Sequence, residues 1–164
     1  MTVESHGAAF RLPEGAVLLH IGPAGTGGST LRASLLATRD QLQAAGTHLV
    51  GGSGPAARAG RAVVAPSLPP GRVPPPTRHW ESLVRDIGSA GARRVVVSSD
   101  PLALADADTI RRIADDIGAE RVHVLITLRP LARIIPWVWQ LGIQRGWTTD
   151  LDGWIQRLFP DGDE

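Results

Sequence analysis

A short apolar run, Ala16-Val-Leu-Leu-His-Ile21, leads directly into Gly22-Pro-Ala-Gly-Thr-Gly-Gly-Ser-Thr30, and a helix-like stretch follows. A strand, a glycine-rich turn and a helix N-terminus in succession form the opening unit of a parallel α/β sheet, which leaves few other folds open to the chain. Gly22 and Gly27 are separated by four residues and Ser29 follows two places on, the spacing of a loop whose backbone N–H groups cradle phosphate or sulfate. Gly22, Gly25, Gly27 and Gly28 permit positive φ and close backbone approach, with Thr26 among them. Ser29 and Thr30 are placed to cap the helix and to offer hydroxyls to an anion. The charge that usually accompanies such a loop is missing: Gly28 stands where nucleotide-hydrolysing loops carry lysine, and the chain contains no lysine at all. The plainer alternative is a glycine-rich βα turn without a ligand.

Apolar runs alternate with helical patterns along the rest of the chain, as in βαβ units. Ala16–Ile21, Arg94–Ser98 and Arg121–Leu128 are nearly continuous in apolar residues and read as strands buried on both faces, with Thr47–Val50 as a fourth. Helices are expected over Ser29–Ala45, Arg78–Ala90, Asp106–Gly118 and Leu151–Leu158. In the third, Ile110, Ile113 and Ile117 share a face, Arg111, Arg112, Asp115 and Asp116 lie outside it, and Asp108 stands four residues before Arg112 as an ion-pair partner. The stretch Gly51–Pro76 holds seven of the thirteen prolines and five glycines, so it is expected to be an irregular, partly polyproline insertion. It carries Arg58, Arg61 and Arg72, with Arg78 just beyond, and no acidic residue occurs between Asp40 and Glu81. It reads either as a surface insertion or as a basic lid over an anionic ligand.

At 164 residues the chain suits one domain, 1–164, with this insertion at 51–76. A net charge of +1 gives no global field for nucleic acid or an anionic membrane. Without cysteine there is neither a disulfide frame nor a thiolate nucleophile. The amino terminus has no basic segment followed by an apolar signal core, and no apolar run approaches the ~20 residues of a membrane helix, so a cytoplasmic location is expected. His6, His48 and His79 have no metal-like spacing, and no metal is expected.

Three segments in order resemble the sulfotransferase-type P-loop proteins common in actinobacteria: Leu18–Leu31 around the glycine loop, the strand end Val97-Ser-Ser-Asp100, and Thr127-Leu-Arg-Pro-Leu-Ala-Arg-Ile-Ile-Pro-Trp-Val-Trp-Gln140. The resemblance covers roughly Val17–Trp154 outside the insertion. It implies a three-layer parallel sheet flanked by helices, shortened at its carboxyl end, and a donor substrate, 3′-phosphoadenylyl sulfate (PAPS), whose phosphosulfate lies on Gly22, Gly25, Thr26, Gly27, Gly28, Ser29 and Thr30. It also implies that Arg129 holds the donor's 3′-phosphate. The chain departs from that pattern twice. Ala24-Gly25 stands where His-Lys is usual, and Trp137 stands where a serine would follow Arg129 by eight residues.

Asp100 follows a strand's carboxyl end, where open parallel sheets place their ligands, and is the candidate general base for an acceptor hydroxyl; Ser99-Asp100-Pro101 also reads as a helix start with Asp100 as its cap. Ser98 and Ser99 either bind phosphate or satisfy backbone groups at the strand end. Arg133 either joins Arg129 or bridges to a surface carboxylate. His20 is either packed beside the sheet or turned toward the loop, and His123 reads as a core histidine. Trp137, Trp139, Trp147 and Trp154 read as core rather than as an acceptor platform. Three functions remain open: sulfuryl transfer to a small-molecule hydroxyl or amine, a non-catalytic binding or assembly module, and a nucleotide-binding phosphotransferase. A homo-oligomer is compatible with each.

Overall fold

The computed structural model describes residues 11–52, 54–68, 72–91 and 93–160. Four strands, β1 (Val17–Ile21), β2 (Thr47–Val50), β3 (Arg94–Ser98) and β4 (Val122–Ile126), form one all-parallel sheet in the order β2-β3-β1-β4. The helices are α1 (Gly28–Ala37), α2 (Arg39–Ala44), α3 (Pro55–Val63), α4 (Arg78–Ser89), α5 (Ala107–Ile117), α6 (Leu131–Ile143) and α7 (Leu151–Leu158). The coarse α/β expectation therefore holds. Because β1 lies between β3 and β4, the turns after these three strands gather at one edge of the sheet, where ligands of open α/β sheets are held.

Strand alternation divides the sheet's two faces. Val17 and Leu19 of β1 and Val95 and Val97 of β3 join one core with α3, α4 and α5. In α4, Trp80, Leu83 and Ile87 recur at helical spacing and are buried, and the Trp80 indole N–H donates to Asp116 Oδ2 of α5 at 2.6 Å. Leu18, His20, Val96 and Ser98 alternate onto the other face, in a register that sets Leu18 beside Val96 and His20 beside Ser98.

Several expectations are corrected. The helix read over Ser29–Ala45 breaks into α1 and α2 at Thr38, whose hydroxyl bonds back to the Ser34 carbonyl at 2.9 Å, a local alternative to helical continuation. The stretch 51–76 is not irregular throughout. Pro55 occupies the first turn of α3, where the missing N–H costs nothing, and the other six prolines all follow residue 65. Ala56, Ala59, Ala62 and Val63 of α3 are buried. Density of proline over a window hid a helix that only begins with one.

β4 is likewise not buried on both faces: Val124, Leu125 and Ile126 are 55%, 44% and 54% exposed, because β4 is the edge strand and among the described residues pairs only with β1. His123, on the same strand, is half-buried instead of in the core. In α5, Ile110 is exposed while Thr109, Ile113 and Ile117 are buried, and the ion pairs are Arg111 with Asp108 and Arg112 with Asp116 (3.7 Å), not Asp108 with Arg112. The four carboxyl-half tryptophans are not core residues. Trp147 is exposed and stands against Trp154 with ring centroids 5.9 Å apart, whereas the fully buried tryptophan is Trp80. α7 spans the expected residues, its first turn capped by Asp150 accepting from the Gly153 N–H at 2.8 Å. No helix among the described residues is long and apolar enough to cross a membrane. The expectations for His6 and for the amino terminus fall on 1–10, outside the described residues.

Candidate functional site

The loop between β1 and α1 is shaped by steric demand at its glycines. A Cβ on Gly22 would come within 2.5 Å of Thr127 Oγ1 and 2.7 Å of the Thr127 carbonyl oxygen, so only glycine lets the turn after β1 run beside the turn after β4. Gly25 (φ +88°) and Gly27 (φ +97°) are left-handed, and Gly27 is the N-cap of α1. Ser29 and Thr30 do not cap the helix as expected, since no side chain accepts from the first turn of α1. A glycine cap brings no side-chain oxygen of its own, and Ser29 and Thr30 instead line a cavity over the loop. That arrangement leaves first-turn N–H groups for an external anion.

A polar row lies beneath the loop. Ser98 Oγ is 2.8 Å from His20 Nδ1, His20 Nε2 is 3.1 Å from Thr127 Oγ1, and Thr127 Oγ1 is 3.1 Å from Thr26 Oγ1, whose hydroxyl donates to the Pro23 carbonyl at 2.8 Å. One proton assignment serves every member: Thr26 spends its proton on Pro23, Thr127 donates to Thr26, a neutral His20 donates from Nε2 to Thr127, and Ser98 donates to Nδ1. His20 is thus a fully buried brace linking β3, β1 and β4 to the loop backbone, and Thr26 faces inward rather than toward the cavity.

Burial pushes the His20 imidazole below its ordinary value of 6.5, opposed by the Asp100 carboxylate and reinforced by the Arg32 guanidinium. The unfolded chain therefore takes up a proton near that pH while the folded chain stays neutral to a lower one. Stability contributed by His20 is complete above about pH 6.5 and is lost as the pH falls toward the folded value, at no more than about 1.4 kcal/mol per pH unit. Urea midpoints at pH 7.5 and 5.5 are expected to fall further for the parent chain than for His20→Asn; equal falls would contradict the brace.

Asp100 does not cap a helix. Ser99 is the N-cap of the short 3₁₀ turn Asp100–Leu104, and its hydroxyl donates to the Ala56 carbonyl at 3.0 Å instead. Neither serine reaches the cavity, since Ser98 is held by His20 and Ser99 by α3. The Asp100 Oδ2 accepts from Arg32 Nη2 at 3.1 Å, and Arg32 Nη1 donates to the Ser98 carbonyl at 3.1 Å. Asp100 Oδ1 has no hydrogen-bond partner among the described residues and lies against Gly28, where any Cβ would collide with it. Gly28 thus leaves room for Asp100 at the place where nucleotide-hydrolysing loops carry lysine.

Arg129 donates from Nη1 to the Gly25 carbonyl at 2.9 Å, and the ring of Trp137 lies where a Gly25 side chain would go. These groups close a cavity of about 330 Å³ whose lining includes Gly25, Gly27, Gly28, Ser29, Thr30, Asp100, Arg129 and Trp137. Gly22 borders a second, larger cavity on the other side of Asp100. Arg133 makes no side-chain bond among the described residues. The sequence reading passed over Arg32 and the roles of Thr127 and Trp137. Of these, only Trp137 had a local signal, since its bulk replaces a hydroxyl in the expected spacing. Among the described residues no group of three or more His, Asp or Glu side chains is placed to hold a metal ion. No protein-family model, curated protein or solved structure matches the chain.

Proposed function

We propose that the chain is a sulfotransferase-like P-loop protein that binds PAPS at the loop after β1 and passes its sulfuryl group to a small-molecule hydroxyl or amine. The observation that carries this reading is the meeting of Gly27, Gly28, Ser29, Thr30, Asp100 and Arg129 around one cavity of about 330 Å³, at the edge where the turns after β1, β3 and β4 converge. The residues fit an anionic group: the uncapped first turn of α1 offers N–H donors, Ser29 and Thr30 line the same cavity, and Arg129 supplies the one cation in the lining among the described residues. In the transfer, an acceptor oxygen forms the new S–O bond, the bond from sulfur to the bridging phosphate oxygen breaks, and the electron pair leaves with 3′-phosphoadenosine 5′-phosphate. In this proposal Asp100, which borders both cavities, takes the acceptor's proton.

With no lysine in the chain and Arg129 assigned to the donor's 3′-phosphate, the first-turn N–H groups and dipole of α1 carry the stabilisation of the leaving 5′-phosphate. A slow enzyme follows, and a binding module without turnover is the second reading, favoured by the way Arg129 and Trp137 brace Gly25. Transfer of labelled sulfate from PAPS to a panel of phenols, alcohols and amines separates the two. Asp100→Asn is expected to lower transfer more than tenfold while retaining or strengthening nucleotide affinity, because a negative charge beside the bound anion is removed. Binding with no transfer to any acceptor would favour the module, and unchanged transfer in Asp100→Asn would remove that residue as the base.

A further inference from the structure

The second cavity, about 640 Å³, lies across Asp100 from the first and shares only Asp100 and Ala24 with it. Apolar surface from Leu68, Val73 and Leu104 forms part of its wall. Among the described residues, four arginines, Arg32, Arg61, Arg72 and Arg145, and one carboxylate, Asp100, also line it, an excess of three positive charges. Arg32 is held by Asp100 and the Ser98 carbonyl. Among the described residues, Arg61, Arg72 and Arg145 have no carboxylate within 4.0 Å. The sequence explains the imbalance for two of them, since the chain from Asp40 to Glu81 supplies no acid between those two residues. Three exposed guanidinium groups without acidic partners among the described residues line one apolar-walled cleft, and a bound anion would offset their like charge. The volume is that of a small-molecule site, and the mixed lining suits a ligand that is apolar along its body and charged at one end.

We infer that this cavity binds an amphipathic carboxylate, an apolar body with its carboxylate on Arg61, Arg72 and Arg145 and a hydroxyl at its far end against Asp100. The identification of that hydroxyl as the sulfuryl acceptor rests on the transfer reading above; the binding of the anion does not. Planar guanidinium groups pair with carboxylate through two parallel N–H donors, so the charged end is recognised in orientation as well as in sign. The neutral end then meets Asp100 and Ala24, which both cavities share.

The test is calorimetric titration of the full chain with ω-hydroxydecanoate, with the corresponding α,ω-diol, and with ω-hydroxypropanoate, which keeps the charge and hydroxyl but lacks the apolar body. The hydroxydecanoate is expected to bind at least tenfold more tightly than either comparison ligand. Arg61 and Arg145 are exposed, so Arg61→Gln/Arg145→Gln leaves the fold intact, as a thermal melt checks. The double variant is expected to weaken hydroxydecanoate binding about tenfold without altering the diol, and Arg111→Gln, on α5, to change neither. Equal affinity for acid and diol, an unaffected double variant, or no binding of the acid by a folded chain would each overturn the inference. Titrating 3′-phosphoadenosine 5′-phosphate into the same proteins separates the two claims. Hydroxydecanoate binding without nucleotide binding upholds the anion site and sinks the transfer reading, whereas nucleotide binding without hydroxydecanoate binding does the reverse.

Discussion

Replacing Trp80 by alanine is expected to cost about 3–5 kcal/mol, the range for deleting a fully buried large aromatic. Trp80 is 1% exposed at the centre of the core formed by α3, α4, α5 and the sheet, and its indole N–H reaches Asp116 on α5. Removal loses the transfer energy of the ring, opens a cavity between α4 and its neighbours, and severs the one side-chain hydrogen bond that ties α4 to α5 among the described residues. Since domains of this size hold only about 5–15 kcal/mol of net stability, the loss takes from about a fifth of it to nearly all of it. Trp80→Phe keeps most of the ring and loses the donor; Asp116 is partly exposed and regains water, so the cost should fall to about 1–2 kcal/mol. Urea denaturation of both variants checks the order. A Trp80→Ala cost below about 1 kcal/mol would mean that the core does not close over this side chain.

Gly28→Ala is expected to cost about 1–3 kcal/mol, a penalty of overpacking and not of backbone strain, because the Gly28 φ lies outside the left-handed region. The new methyl group collides with Asp100 Oδ1, and Asp100 cannot swing away freely while Arg32 holds its other oxygen. The two sites should therefore couple. Asp100→Ala alone loses the ion pair with Arg32, yet in its presence Gly28→Ala should cost at least 1 kcal/mol less than in the parent. Additive costs in that double-mutant cycle would show that the carboxylate is not packed against the loop. The same geometry predicts that Gly28→Lys, which adds the lysine of nucleotide-hydrolysing loops, destabilises the chain too, because its Cβ meets the same oxygen.

The parts of the fold set by local pattern were legible in the residues. β2 and β3 span Thr47–Val50 and Arg94–Ser98 as read, and α7 spans Leu151–Leu158 as read. β4 shows the limit of such a pattern. A continuous apolar run says that a strand is suited to burial, but its place at the sheet's edge depends on the order of four strands that no single segment records. α3 was hidden by the prolines that follow it, and the break at Thr38 by a hydroxyl whose choice of the Ser34 carbonyl is invisible to periodicity.

The site divides the same way. The glycine loop could be read because its spacing lies within nine residues, Gly22–Thr30. The polar row could not, since His20 meets Ser98 and Thr127 across 78 and 107 residues of chain through strand register alone. Arg32 was missed for a related reason: on α1 it is one basic residue in an exposed-looking helix, and only the packing of α1 beside the end of β3 brings it within 3.1 Å of Asp100. The arginines at 61 and 72 were noticed as a basic stretch, but that they share a cavity with Arg145 is a tertiary fact.

The central claim is that the loop after β1 still holds the donor nucleotide without its lysine. Calorimetric titration with 3′-phosphoadenosine 5′-phosphate, alongside ATP and inorganic sulfate, tests it most directly. Selective binding at a Kd of roughly 10 μM, about −7 kcal/mol, weakened at least tenfold in Arg129→Ala, is the expected result. A chain that is folded by its melting transition yet binds none of the three, or binds ATP as tightly as the bisphosphate, would contradict it.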